Sequence, residues 1–174
     1  MELLQLCLRY LLLQICCYII NPHLPDRQGF NYNSELARIL SIDYGLKRTG
    51  LAVTDPLKII ATGLTTVNSK QLIPFLKNYF SKEEVELIII GEPRNWDDSD
   101  THATPLVEKC IKNLHKNFPA IPVKKVDERY TSKMAKDAMI EMGLKKKQRR
   151  DKKLVDVIAA TILLQEYMGR NLDG

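Results

Sequence analysis

Acidic residues lie at the ends of two predicted strands and on the last predicted helix, where they could carry chemistry. Asp43 ends the apolar run in "ILSIDYG", the adjacent acids Asp127 and Glu128 end the predicted strand "IPVKKVDE", and Asp156 interrupts the helical pattern "LVDVIAATILL". An unpaired carboxylate in an apolar environment is strongly unfavourable or takes up a proton. A cation shared by such groups would keep them ionised, because it offsets the repulsion between like charges.

The chemistry of these acids favours a hard divalent ion, Mg²⁺ or Mn²⁺, over zinc, because their motifs contain no histidine or cysteine ligand. Such an ion can stabilise the attacking and leaving oxygens of a phosphodiester during hydrolysis. One acid from each of the three places is therefore predicted to be both catalytic and metal-binding.

Two of these acids also have structural interpretations. Asp43 lies two residues before Gly45 and could simply form the turn that ends the strand. Asp156 could be neutralised by Lys152 or Lys153 in an ion pair that has no part in catalysis.

Asp127, the neighbour of Glu128, is a further candidate metal ligand. Adjacent residues of a strand point to opposite faces, so Asp127 and Glu128 can share a site only if the strand bends. Arg129 could pair with either acid, and Thr131 or Ser132 could cap the following helix.

Basic residues adjoin the predicted site at two places. Two of them follow the first strand directly, and the run "KKKQRRDKK" precedes the helix that carries Asp156. Such runs are often solvated surface, but this position favours phosphate binding, which is salt-sensitive and independent of sequence. The single tryptophan, Trp96, could stack on a base or serve in packing. The predicted nucleic-acid-binding residues are Lys47, Arg48, Arg129, Lys145, Lys146, Lys147, Arg149 and Arg150.

The composition is that of a globular protein with a modestly basic balance. The 174 residues are 45% hydrophobic and 27% charged, with a formal net charge of +5, which suits one domain and is compatible with a polyanionic partner. The four cysteines show no disulfide or zinc spacing, which favours a reducing, cytoplasmic location.

Residues 1–36 differ from the rest of the chain. The apolar "MELLQLCLRYLLLQICCYII" is followed by a polar, turn-rich stretch. Arg9 and Gln14 interrupt the apolar run, and it has neither a basic start nor a small-residue cleavage site. We expect a dispensable or disordered extension outside the functional domain, with an amphipathic arm and a membrane anchor as alternatives; no stable membrane association is expected.

The remaining chain predicts the element order βββαβαβαα, which implies a mixed sheet covered by helices. Ser69 is the predicted N-cap of the first helix, and Pro74 must lie in its first turn. The predicted strands cover 38–44, 49–54, 63–67, 86–93 and 121–128, and the predicted helices cover 69–83, 101–118, 132–142 and 154–168.

Four motifs resemble the signatures of the YqgF family in order and spacing: "ILSIDYGLKRTGLAVTDP", "IIIGEPRNWDDS", "VDERYTS" and "KKLVDVIAATILLQEYM". Members of that family are described as pre-16S ribosomal RNA nucleases or Holliday-junction-resolvase-like proteins. The resemblance implies an α/β, ribonuclease H-like domain over residues 37–174, with a mixed five-stranded sheet and helices on both faces. It also points to Asp43, Glu128 and Asp156 as the metal-binding acids.

Glu92 departs from the family pattern, which has an apolar residue at this position. It could be a fourth metal ligand, because a glutamate ends the corresponding strand in related junction resolvases. The interpretation that we favour is an exposed loop residue paired with Arg94.

The resemblance implies a metal-dependent nuclease that processes precursor 16S ribosomal RNA, with the ribosome as a candidate partner. Three alternatives remain: a resolvase acting on branched DNA, an inactive RNA- or ribosome-binding module, and an actin-like or sugar-kinase-type ATPase. The ATPase needs a duplicated domain, for which this chain has little room. Junction cleavage would suggest a homodimer, whereas a monomer could trim RNA.

Overall fold

The computed structural model describes residues 36–92, 104–127, 131–141 and 143–172, with the backbone alone at 131–133 and 171–172. The predicted N-terminal extension, except its last residue, lies outside these ranges and stays a prediction, as does the role of Trp96. None of the helices in the described ranges is both long and apolar enough to cross a bilayer.

The predicted order of strands and helices is confirmed across these ranges. The last helix is longer than predicted and begins at Lys152, inside the basic run. Short 3₁₀ turns occupy Ser69–Gln71 and Gln148–Arg150. The strands are β1 (Arg38–Tyr44), β2 (Arg48–Thr54), β3 (Ala61–Asn68), β4 (Val85–Glu92) and β5 (Val123–Asp127), and the helices are α1 (Leu72–Phe80), α2 (Thr104–Asn117), α3 (Thr131–Glu141) and α4 (Lys152–Leu172).

The five strands form one sheet in the order β3-β2-β1-β4-β5. Short connections join β1, β2 and β3 into an antiparallel meander, whereas β4 runs parallel to both β1 and β5. Helices make the two parallel crossovers, as such connections require. The prediction of a mixed five-stranded sheet is therefore confirmed.

Alternate residues of the central strands pack against helices on opposite faces of the sheet. Leu40 and Ile42 of β1 lie in the apolar cluster beneath α1 and α2. Ile39 lies in a second cluster with Leu163 and Leu164 of α4. Helix α3 packs on α4 rather than on the sheet, through a small cluster that includes Ala135. Helices thus cover both faces, as predicted.

The start of the first helical segment differs from the prediction. Asn68, not Ser69, is the capping residue, because its side-chain oxygen accepts a hydrogen bond from the amide of Lys70. The Ser69 hydroxyl instead donates to the carbonyl oxygen of Gly45 at 2.6 Å. This bond ties the segment to the β1–β2 turn, so a tertiary contact has displaced the local cap. Pro74 lies in the first turn of α1, as expected.

Candidate active site

Asp43 lies near the carboxyl end of β1, on the face of the sheet that α4 covers. Ile39, Ser41 and Asp43 alternate along the strand, and Ile39 belongs to the cluster packed against α4. Asp43 pairs with Gly50 of β2 in the antiparallel register. The strand end therefore presents a half-buried carboxylate residue toward α4.

Asp156, in the first turns of α4, lies directly over the same glycine. A Cβ atom added at Gly50 would stand 2.0 Å from the carbonyl oxygen of Asp156. Asp43 is thus the neighbour of Gly50 within the sheet, and Asp156 is its neighbour above the sheet. The glycine brings two predicted site residues together that are remote in sequence.

A second glycine lets α4 approach closely. A Cβ atom at Gly63 of β3 would stand 2.4 Å from Cγ1 of Val157. The hydroxyl of Thr66, also in β3, donates to the carbonyl oxygen of Lys153 at 2.7 Å. The contacts of α4 with Gly50 and Gly63 were not predicted from the sequence, although a glycine inside a strand pattern indicates a close backbone approach.

The cationic partner of Asp156 is Arg48. Its Nε donates to Oδ2 of Asp156 at 2.8 Å, and the two side chains are 35% and 22% exposed. The structural interpretation that paired Asp156 with Lys152 or Lys153 is therefore wrong about the partner. Both lysines are exposed in the first turn of α4, whereas Arg48 begins β2 on the face beneath the aspartate.

Lys47 and Arg48, which follow the first strand, differ in solvent exposure and in the contacts they make. The amide of Gly45 donates to the carbonyl oxygen of Arg48 at 3.0 Å, which closes the tight β1–β2 turn. The main chain of Lys47 accepts a hydrogen bond from the amide of Ser69, while Lys47 itself is exposed. Lys47 can therefore meet a ligand from solvent, whereas Arg48 is held against α4.

Glu92 is a buried strand residue, so its predicted place in an exposed loop is wrong. It ends β4, where strand pairing buries it, and its Oε1 accepts from Nζ of Lys125 at 2.9 Å. Lys125 also pairs with Glu108 of α2. The two carboxylates, Glu108 first, raise the pKa of Lys125. These contacts direct Glu92 toward α2, on the face opposite Asp156; the predicted partner Arg94 lies outside the described residues.

Asp127 is the register partner of Glu92 at the ends of β4 and β5. Strand alternation places Asp127 on the same face as Lys125, which is the α2 face. Glu128 and Arg129 follow it directly, and both lie outside the part of the chain that the structure describes.

The exposed basic residues lie in the connection that leads into α4. Lys145, Lys146 and Lys147 are exposed, and the amide of Lys145 donates to Oε1 of Gln148 at 2.9 Å. Arg149 is half-buried, and Arg150 is exposed. Because Asp156 lies in the first turns of the helix that follows, this connection and the acid belong to the same end of α4.

The acids fit a hard divalent ion by their chemistry. Asp43 and Asp156 supply carboxylate oxygens on one face of the sheet, and the ion pair with Arg48 shows that Asp156 attracts a cation. Across the four described ranges, no three histidine, cysteine or acidic side chains lie close enough to hold a metal ion. The third predicted ligand, Glu128, is outside those ranges.

A groove between α3 and α4 lies apart from these acids. Its volume is about 520 Å³. Three of its lining residues carry carboxylates, which would repel phosphate, and none is a predicted site residue. The lining consists of Met134, Asp137, Ala138, Glu141, Ile162, Gln165 and Glu166.

Known proteins resemble this chain over the same region. Residues 37–170 match the model of the RuvX family, described as "Holliday junction resolvase". A protein of Christiangramia forsetii is 54% identical over 133 residues, covering 76% of this chain and 98% of its own length. One of Flavobacterium psychrophilum is 52% identical over 137 residues, covering 79% and 100%. Both are named "Putative pre-16S rRNA nuclease".

Among solved structures, "T. thermophilus RuvC in complex with Holliday junction substrate" matches with a TM-score of 0.48 and 16% identity, over 78% of this chain and 96% of that one. The mixed sheet with helices on both faces agrees with the ribonuclease H-like fold that the sequence resemblance implied. The family match and the two relatives confirm the resemblance itself. The chain belongs to the RuvX family, which the four YqgF-like motifs predicted.

Proposed function

We propose that this protein is a metal-dependent nuclease that hydrolyses phosphodiester bonds during processing of precursor 16S ribosomal RNA. The observation that carries the proposal is the juxtaposition of Asp43 and Asp156 around Gly50. The names of the relatives support the choice of substrate. Precursor ribosomal RNA as substrate would place the protein in the cytoplasm, and a monomer could act on it.

In this proposal, Asp43, Asp156 and Glu128 hold Mg²⁺ or Mn²⁺. A bound divalent ion would activate water and stabilise the leaving oxygen. The chain would hold the carboxylates in fixed positions, because β1 carries Asp43 and Gly50 lets α4, which carries Asp156, pack closely on the sheet. Asp127 and Glu92 are weaker candidates as ligands, because strand alternation and the Lys125 pair direct them toward α2.

The basic residues would hold the nucleic acid backbone next to the acids. Lys47 and the basic residues of 145–150 would contact phosphates, with Arg129 as a further predicted contact. Phosphate neutralisation by such residues gives affinity that falls with salt and does not depend on base sequence. The proposal therefore assigns recognition to charge and shape rather than to base contacts.

Branched DNA is the second candidate substrate, favoured by the description of the matching family. Both substrates present the same phosphodiester backbone to the acids. Cleavage of a junction would require two active sites, and hence a homodimer. Tight RNA binding without metal-stimulated cleavage would instead favour a non-catalytic RNA- or ribosome-binding role.

The test is cleavage of matched RNA and DNA substrates by the wild type and by Asp156→Asn. Precursor 16S fragments, unstructured RNA, duplex DNA and a four-way junction are each incubated with Mg²⁺, Mn²⁺ or a chelator. We expect metal-dependent cleavage of the precursor by the wild type and little by Asp156→Asn. Asp137→Asn, an exposed acid on α3, is the control and should cleave normally.

Two results would contradict the proposal. Cleavage that persists in chelator would exclude the metal, and cleavage by Asp156→Asn at the wild-type rate would exclude that acid. Preference for the four-way junction over the precursor would favour the second substrate.

A further inference from the structure

We propose that Arg48 exchanges partners: it neutralises Asp156 until a divalent cation binds the acids, and it then binds a phosphate of the nucleic acid. The inference rests on the proposed function. It adds that metal binding and nucleic acid binding are coupled through a single side chain.

The Arg48–Asp156 ion pair is partly exposed to solvent, so its two side chains can separate. Arg48 donates through Nε at 2.8 Å, and the two side chains are 35% and 22% exposed. Ion pairs in contact with water contribute little net stability, because hydration replaces much of the attraction. A divalent cation that binds several carboxylate oxygens can therefore displace the guanidinium from Asp156.

The charges explain why the two cations compete. Arg48 occupies Oδ2 of Asp156, so a metal ion must either share this carboxylate or replace the arginine. Two cations on one carboxylate repel each other, and this repulsion lowers the affinity for metal. Removal of the guanidinium should therefore tighten metal binding, whereas a residue that merely supports the fold would weaken it or leave it unchanged.

The released side chain would lie beside an exposed basic residue, where a phosphate of the nucleic acid can reach it. Arg48 begins β2 directly after Lys47, which is exposed to solvent. A guanidinium donates two parallel hydrogen bonds to a phosphate, which suits it to the backbone of a nucleic acid. We infer that Arg48 strengthens nucleic acid binding only when Asp156 no longer holds it.

The neighbouring strand bears a matched control at the opposite end of the sheet. Arg38 begins β1 and also donates through Nε, to Oε2 of Glu83 at 2.7 Å, with side chains that are 23% and 40% exposed. Glu83 therefore lies beside the start of β1, whereas Asp43 lies near the end of that strand. Arg38→Gln removes the same charge as Arg48→Gln and breaks a comparable ion pair, so it reports the general cost of both changes.

The first experiment measures Mn²⁺ affinity of the full-length protein without nucleic acid, from the electron paramagnetic resonance signal of free Mn²⁺. We expect Arg48→Gln to bind Mn²⁺ about fivefold or more tightly than the wild type, in the usual range of coupling between sites. Arg38→Gln should bind as the wild type does. Thermal unfolding of each variant verifies the fold, and Arg48→Lys, which keeps the charge, should show a smaller gain.

The second experiment measures RNA binding in chelator, where no cleavage occurs, for the wild type, Arg48→Gln, Asp156→Asn and the double variant. We expect Arg48→Gln to bind somewhat more weakly than the wild type, because the bare Asp156 carboxylate then repels phosphate. Asp156→Asn should bind several-fold more tightly. The double variant should lose most of this gain, which separates the release of Arg48 from the mere removal of a negative charge.

The outcomes separate this inference from the proposed function. If the wild type binds Mn²⁺ and cleaves, but Arg48→Gln leaves the Mn²⁺ affinity unchanged or lowers it, the exchange is wrong and the nuclease stands. A double variant that binds RNA as tightly as Asp156→Asn would also overturn the exchange. A wild type that neither binds Mn²⁺ nor cleaves overturns both.

Discussion

The main chain of Asp156 rests on Gly50, so closely that a Cβ atom at position 50 would lie 2.0 Å from the Asp156 carbonyl oxygen. Real side chains do not tolerate this separation, and the obstructing atom belongs to a helix backbone. Gly50 also pairs with Asp43. The absence of a side chain at position 50 therefore determines how closely the two aspartates can approach each other.

Gly50→Ala should therefore displace the start of α4. We expect a loss of about 1–3 kcal/mol in the free energy of unfolding, the usual cost of overpacking, together with weaker Mn²⁺ binding. Urea denaturation and Mn²⁺ titration measure the two effects. Gly169→Ala in the same helix is the control: its Cβ would meet nothing within 4 Å, so it should stabilise by up to about 1 kcal/mol. Equal effects of the two variants would contradict the close contact between Gly50 and α4.

Asp43→Asn keeps the size of the side chain and removes its charge. We expect cleavage to fall by about a hundredfold or more, comparable with the loss of one electrostatic catalytic group, while the melting temperature changes little. Initial rates in Mn²⁺ and a thermal melt provide both numbers. A rate within a few-fold of the wild type would make Asp43 a turn residue and not a ligand.

Neutralisation of Lys145, Lys146 and Lys147 should weaken RNA binding and reduce its salt dependence. For every phosphate of single-stranded RNA that is no longer neutralised, the slope of log affinity against log salt should become shallower by about 0.7. Fluorescence anisotropy at several salt concentrations measures the slope. The triple glutamine variant of Lys77, Lys109 and Lys112 makes the same charge change at exposed positions on α1 and α2. An identical slope in both variants would mean that only net charge matters.

Lys125→Met should lower the free energy of unfolding, because it removes the ammonium group that pairs with the buried Glu92. Only 9% of the Glu92 side chain is exposed, so we expect a loss of about 1–3 kcal/mol in unfolding free energy. Glu92→Gln in the same chain should recover part of that loss. Glu92→Gln alone should leave cleavage nearly unchanged, because Glu92 is directed toward α2. A large loss of cleavage would instead assign Glu92 to the metal site.

Cys110 should resist alkylation while the protein is folded. Burial raises the pKa of its thiol to about 12, and only the thiolate reacts. At pH 8.5 we expect peptide mapping to find Cys110 unmodified in native protein and fully alkylated in urea. The unfolded protein ionises this thiol from about pH 8.5, whereas the folded protein keeps it neutral. The free energy of unfolding should therefore fall as the pH rises from about 8.5 toward about 12. Rapid native alkylation would show that α2 opens readily.

The fold was largely predictable because its patterns are local. Apolar runs predicted the strands, helical spacing predicted the helices, and their order implied a mixed sheet with two covered faces. The errors came where a distant residue competed with a local one. Ser69 has the chemistry of a cap, but its hydroxyl bonds to Gly45 instead. Glu92 resembles a loop residue, but pairing with β5 and Lys125 holds it in a strand.

The sequence by itself determined which residue types are available for chemistry: carboxylates near the ends of two strands and on a helix, with basic residues beside them. Only the tertiary structure decided which of them meet. Strand alternation and register separate Asp43 from Glu92 by face, and a glycine allows α4 to bring Asp156 down beside Asp43. Arg48, 108 residues away, supplies the cation, because ion pairs form between groups that folding brings close, whatever their separation along the chain.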